Sequence, residues 1–327
     1  MDLQVGEQCR HETSQRTLLF AATDYVSGEA FDVYRCDRCG LVRTSPPTDR
    51  PIASYYPTGY HAGRRYRGPL EVLPRLLAAS RSRWLEKASG RTGHVLEVGC
   101  GRGTLLQELR SRGWTVMGTE LNEGAARFAR EAHGLDVRTV PITELELASG
   151  SLDAVIFWHV LEHLEEPGIA LDEAARLLRP GGVLLVAVPR FDSPLSRWAG
   201  PTWFQLDVPR HLSHFSLDVL IAMLRERGLS PVEVRHLALE YDLFSFVQTV
   251  LNKLGFRMNL LFETLRRGEA SMFSGDRSPR PRAAARILSI ALAIPLTALS
   301  LVWQPIAAAR HRGDSMTVLA RKPPQRV

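Results

Sequence analysis

Between His94 and residue 238 the chain switches repeatedly between two spacings of apolar residues. Short apolar runs at Val95–Val98, Thr115–Leu121, Val137–Val140, Asp153–Trp158, Val183–Val188 and Val232–Leu239 read as buried strands, with helical-period stretches between them. Thr104–Arg112 predicts a helix stopped by Gly113, and Asn122 predicts the cap of a helix running to His133 with Gly134 after it. "LDEAARLLR" predicts a helix ended by Pro180-Gly181-Gly182, and Ser216 caps "LDVLIAMLRERG". Such alternation predicts an α/β fold, a parallel sheet with helices on both faces.

The flanks follow other patterns. Residues 1–62 carry short elements and many turn residues, with "RTSPPTDRP" as a Pro-rich break. Residues 63–93 read as a basic linker and amphipathic helix, broken near Pro74. Residues 94–239 form the core. Ile287 to Ala309 contains no charged residue and is long enough to cross a bilayer.

The core opens on "VLEVGCGRG", a strand running into Gly99, Gly101 and Gly103. Ligands of open α/β sheets bind beyond the carboxyl ends of the strands, where this loop lies. Glycines let a ligand approach the backbone, and the following helix aims its positive end there. A dinucleotide fingerprint is G-x-G-x-x-G. Here Thr104 stands at the third glycine, which disfavours a nicotinamide dehydrogenase. Glu97, two residues before the first glycine, suits a cationic amino acid moiety better than a pyrophosphate, and Glu120 at the end of the next strand can accept both hydroxyls of a ribose.

"VLEVGCGRGTLLQEL", "VMGTELNEGAARFA", "LDAVIFWHVLEHLEEP" and "LLRPGGVLLVAVP" resemble, in order and spacing, the successive motifs of class I S-adenosylmethionine-dependent methyltransferases. "HVLEH" and "LRPGG" narrow the resemblance to the small-molecule branch that includes ubiquinone-biosynthesis and sugar methyltransferases. The resemblance implies a Rossmann-like seven-stranded sheet with its last strand antiparallel. It implies that Glu97 and the backbone of Gly99, Cys100, Gly101 and Gly103 hold the methionine part of S-adenosylmethionine. Glu120 would hold the ribose, Leu121 would lie against the adenine, and Ile142 to Leu145 would close over its edge. His159 would face the sulfonium.

Methyl transfer asks for alignment, exclusion of water and sometimes removal of a proton. His159 and His163, at i and i+4, are expected on one face of a short helix with no third metal ligand beside them. His163 is a candidate base. "WAGPTWFQLDVPRHLSHFS" is expected as a lid in which Trp198, Trp203 and Phe204 wall an apolar pocket. His211 is expected there as base or substrate clamp, His214 as a further candidate and Arg210 as a binder of an acidic substrate group or a surface charge.

Cys36-x-x-Cys39-Gly40 looks like a zinc knuckle, completed upstream by Cys9 and His11. With "YYPTGYHA" it resembles the zinc-binding N-terminal module of some of these methyltransferases, so residues 1–62 are expected as a zinc-ribbon-like module with a structural zinc. Four cysteines are too few for a disulfide scaffold, and the first residues lack the pattern of a signal peptide, so a cytoplasmic setting is expected.

The formal charge is +6, but it is clustered. Arg280, Arg282 and Arg286 precede the apolar stretch and Arg310 and Arg312 follow it, which favours an anionic membrane surface over nucleic acid. "SMTVLARK", Ser315 to Lys322, reads as the last antiparallel strand, within a final segment 314–327. Residues 240–313 are then an apolar insertion whose ends meet at the sheet. Pro295 and Pro305 suggest a re-entrant or surface-lying hairpin on the inner face of the membrane, beside "LFSFVQTVLNKLGF". A buried helix pair or a homodimer interface is the alternative. The sequence thus predicts an enzyme that methylates a hydroxyl, or less readily carbon or nitrogen, of a small or lipid-linked molecule such as a sugar, glycolipid or quinone precursor. A non-catalytic S-adenosylmethionine-binding or zinc-containing adaptor is the reading of a different class.

Overall fold

The computed structural model describes residues 15–47, 50–56, 72–266 and 283–324. Its centre is a seven-stranded sheet made of β4 (His94–Val98), β5 (Thr115–Thr119), β6 (Val137–Arg138), β7 (Leu152–Trp158), β8 (Leu178–Pro189), β10 (Ser230–Arg235) and β11 (Ser315–Arg321), in the order β10-β11-β8-β7-β4-β5-β6. The strands from β6 to β8 are parallel. β11 runs antiparallel to both neighbours, as the resemblance implied.

The strands look continuously apolar because both faces are covered, yet their side chains still sort with period two. Leu96, Val98, Val155, Phe157, Leu184, Val186, Met316 and Val318 pack on one side. They meet Leu171, Ala174, Leu220 and Leu224 of α4 (Pro167–Leu177) and α6 (Leu217–Glu226). Val95, Ala154, Ile156, Val183, Leu185 and Leu319 pack on the other, against Trp84 and Leu85 of α1 (Val72–Ser89) and Leu105 and Leu109 of α2 (Thr104–Ser111). Glu97 shares the parity of Val95, which points it towards α1.

Local chemistry sets the boundaries. Asn122 accepts the Ala125 N–H at 3.0 Å to cap α3 (Glu123–His133), and Gly134 ends it at φ 58°. Pro74 does not break α1; it sits in the first turn, where its missing N–H costs nothing. β8 begins at Leu178 rather than after the glycines, because Gly181 and Lys322 continue the pairing with β11. β10 stops at Arg235, short of the expected Leu239. The chain turns there into α7 (Leu239–Lys253), whose Asp242 accepts the Ala238 N–H at 2.8 Å.

The N-terminal strands do not stand apart. β1 (Arg16–Thr23), β2 (Ala30–Cys36) and β3 (Val42–Thr44) form an antiparallel sheet completed by β9 (Ser213–His214), which comes from the segment after β8. Phe31, Val33 and Val42 share a core with Leu195 and Ala199 of α5 (Pro194–Ala199) and with Trp203. The insertion comprises α7, α8 (Leu260–Arg266) and α9 (Ala283–Ala309). The expected hairpin is not formed by residues 287–309: α9 runs through Pro295 and Pro305 as one helix.

Candidate active site

β4 delivers Glu97 and the glycine loop to the carboxyl edge of the sheet. Gly99 has φ 68°, and a Cβ there would lie 2.4 Å from Val160; Gly103 has φ 77°, and a Cβ there would lie 2.3 Å from Leu135. These glycines let the loop nest between the "HVLEH" turn and α3. Three of the loop N–H groups are spent within the protein: Cys100 donates to Thr119 O, Gly103 to Cys100 O and Gly101 to Glu120 Oε2, each at 2.9 Å. What the loop offers a ligand is the open space above Gly101, where an added Cβ would meet nothing within 4 Å. Burial pushes the Cys100 thiol up, so it is no nucleophile.

Glu97 is 5% exposed, and its Oε2 has no hydrogen-bond partner. Burial pushes its pKa up to about 8, with Arg81 pulling it down and Glu120 adding to the rise. A buried carboxylate oxygen without a donor is what a cationic ligand group would satisfy, so the site fits the ammonium end of S-adenosylmethionine. Glu120 holds Asn122 N at 2.8 Å through Oε1 and Gly101 N through Oε2, so it braces the loop. Leu121 is 63% exposed, free to lie on a flat ring, and Leu145 packs beside the core next to buried Ile142.

A cavity of about 530 Å³ begins at Thr104, Leu105 and His159 and runs away from the glycine loop. Glu97, Glu120, Leu121 and Leu145 are not among its walls; they lie along the strand ends beside it. Arg81 of α1 pairs with Glu240 of α7 and stacks over Trp158 at 3.8 Å, clasping the two helices across the cavity. His159 and His163 do not share a helix face. His159 takes φ 52° before a single 3-10 turn, Leu161–His163. Its Nδ1 lies 3.3 Å from Glu162 Oε1, and its ring stacks on Tyr241 at 3.8 Å.

The far end of the cavity joins residues distant in sequence. His211 Nδ1 lies 2.7 Å from the Gln205 carbonyl and His163 Nδ1 lies 3.0 Å from the Arg210 carbonyl. A carbonyl only accepts, so each Nδ1 donates to its carbonyl, and the Tyr56 hydroxyl lies a further 3.2 Å from His163 Nδ1. The rings meet edge to face at 4.6 Å. Burial, with His211 beside it, pushes the His163 pKa down to about 4, so it is neutral at physiological pH. Glu162 completes the group: with His163 and His211 it brings three donor atoms within 4.8 Å of one another. The expectation that no third metal ligand stood near His163 is corrected. The ligand that joins is His211, not His159, and the set suits a divalent cation as well as proton transfer.

The aromatic walls differ from those expected. Trp203 is buried in the core and Trp198 is half exposed; neither lines the cavity. Phe204 does, with Phe244 at 5.3 Å and Phe262 at 5.5 Å between ring centres. Both of those residues come from the insertion, and Tyr25 comes from the N-terminal sheet. Arg210 binds no substrate. It is fully buried, pairs with Asp24 and Asp207 at 2.8 Å each, and donates to Tyr55 O at 2.9 Å. His214 bonds Thr44 Oγ1 at 2.8 Å and fixes β9, and burial pushes its pKa down to about 3.

Cys36 and Cys39 are buried at the β2–β3 turn, where Gly40 N donates to Cys36 O at 2.9 Å. Cys9 and His11 lie outside the described residues.

A family model described as a methyltransferase domain matches residues 66–234. The ubiquinone biosynthesis O-methyltransferase of Bordetella bronchiseptica is 30% identical over 174 residues, 49% of this chain and 71% of that one. Its counterpart from Dinoroseobacter shibae is 33% identical over 176 residues, covering 50% and 71%. Among solved structures, geranyl diphosphate C-methyltransferase of Streptomyces coelicolor aligns with a TM-score of 0.48 and 15% identity over 85% of this chain and 88% of that one.

Proposed function

Because this chain belongs to the S-adenosylmethionine-dependent methyltransferases, we propose that it methylates a hydroxyl of a small or lipid-linked acceptor with an apolar body. The observation that carries this reading is the pairing, in one cavity, of the His163 and His211 rings with a wall of Phe204, Phe244 and Phe262. The relatives named as O-methyltransferases support oxygen as the acceptor atom.

When bound, S-adenosylmethionine supplies a methyl group already activated by its sulfonium. Glu97 holds the ammonium, Glu120 the ribose, and Leu121 with Leu145 the adenine. The Arg81–Glu240 clasp and the stacked His159–Tyr241 pair exclude water. The phenylalanines seat the apolar body of the acceptor and leave its hydroxyl at the histidines. His211 Nε2 takes the hydroxyl proton as the oxygen accepts the methyl, leaving a methyl ether, S-adenosylhomocysteine and a protonated imidazole. His163 and Glu162 polarise the same hydroxyl. Transfer from labelled S-adenosylmethionine to a panel of sugars, phenols and prenylated phenols tests this. His211→Ala should lower turnover by about 10²–10⁴-fold and leave cofactor affinity within a factor of two or so. Wild-type turnover in that variant refutes the base.

The Cys36–Cys39 turn belongs to the same proposal as a structural zinc site, with Cys9 and His11 as the further ligands and no part in methyl transfer. Metal analysis of chelator-free protein should find about one zinc per chain, lost in Cys36→Ser with Cys39→Ser. A folded, zinc-free wild type removes it.

A further inference from the structure

Helix α9 is built inside out. Its inward stripe carries Ser289, Ser300 and Gln304, all fully buried, beside Leu292, Ala293 and Leu296, which pack on Val247 and Leu251 of α7. Its outward faces carry the large apolar side chains: Ile287 is 68% exposed, Ile294 73% and Val302 60%, with Leu288, Leu299 and Leu301 each just over half exposed. A helix covering a water-soluble domain shows the reverse arrangement. A continuous apolar face over the 23 residues 287–309, about 35 Å, exceeds what a protein leaves to water without a partner.

We propose that this outer face of α9 docks in the plane of a bilayer with anionic headgroups. The helix is long and apolar enough to span one, with a mean hydropathy of 2.0. It is nevertheless fastened lengthwise to the domain: Gln304 Nε2 donates to Asp242 O at 3.1 Å, and β11 pairs into the sheet from Ser315. It therefore lies in the interface rather than across it. Charge selects the occupant. Arg286 stands before the apolar face, Arg310 and Arg312 after it, and no acidic residue occurs between Arg277 and Asp314. Both ends are cationic, so pairing α9 with α9 of a second copy, in either direction, sets like charges against each other. Phosphate headgroups complement both ends at once.

Full-length protein is floated with phosphatidylcholine vesicles, with and without phosphatidylglycerol, and its mass is measured by light scattering in vesicle-free buffer. The wild type should float with the anionic vesicles. Ile294→Asp with Leu301→Asp should lower partitioning at least about tenfold while keeping the wild-type melting temperature, since both sites face outward. Arg310→Glu with Arg312→Glu should lower binding to the anionic vesicles selectively. A wild type that stays unbound to every vesicle overturns the proposal, as does a wild-type dimer that the aspartates dissociate without any vesicle binding. No readout needs an acceptor, so failure here is distinct from failure of the methyl-transfer reading.

Discussion

Glu97→Gln separates the energetics of the empty site from those of the filled one. Glu97 binds its proton more tightly in the folded protein, with a pKa of about 8 against an ordinary 4.5. Its contribution to stability is therefore complete below pH 4.5 and is lost as the pH rises through 8. The rise from 4.5 to about 8 sets an upper bound of about 5 kcal/mol. Water entering an empty site lowers that figure, so a change of about 2–4 kcal/mol is expected. Glutamine has the same shape and no charge to desolvate. Thermal or urea unfolding of the ligand-free proteins between pH 5 and 8 should show the variant gaining on the wild type across that window. Calorimetry should show the opposite for binding. Wild-type affinity for S-adenosylmethionine should rise as Glu97 ionises between pH 5.5 and 7.5, and the variant should bind weakly with no such slope. Parallel stability curves, or undiminished binding by the glutamine protein, would refute the reasoning.

Other substitutions probe the frame. Arg210→Met leaves Asp24 buried without its partner, so it should destabilise by about 3–5 kcal/mol in urea unfolding. A substrate-affinity defect at unchanged stability would instead return Arg210 to ligand binding. Gly103→Ala combines φ 77° with a 2.3 Å contact on Leu135, so a loss of about 1–3 kcal/mol and weaker cofactor binding are expected. An unchanged melting temperature would show that the loop relaxes freely.

Much of the core could be read because its signals are local. Asn122 precedes the helix it caps, the glycines follow the strand they end, and "SMTVLARK" reads as a strand wherever it pairs. The site was harder because its walls are assembled by topology. Phe244 and Phe262 lie in an insertion whose apolar residues serve two masters: Phe244 lines the cavity while Val247 and Leu251, on the same helix, support α9. Of the three aromatics expected as walls, Phe204 lines the cavity, while Trp203, the residue before it, is buried in the core and Trp198 lies outside. The i, i+4 spacing of His159 and His163 suggested a helix, but the left-handed backbone at His159 turned the two rings to different partners. In α9 the sequence shows an apolar run, while only the packed stripe reveals that Ser289, Ser300 and Gln304 face inward.

The position of β11 has a consequence for biosynthesis. It follows every other described strand in the chain, yet it lies between β10 and β8, and β10 has no other partner among the described residues of the sheet. Every described residue of the cavity precedes Phe262 or is Phe262 itself, so the catalytic apparatus leaves the ribosome before the sheet that holds it can close. At about 5–20 residues per second, synthesis from the start of α9 to the end of β11 adds roughly 2–8 s. Late in that interval a complete apolar helix exists beside an unfinished sheet. A message truncated just before Ser315 encodes every described residue of the cavity but not the strand that joins β10 to the sheet.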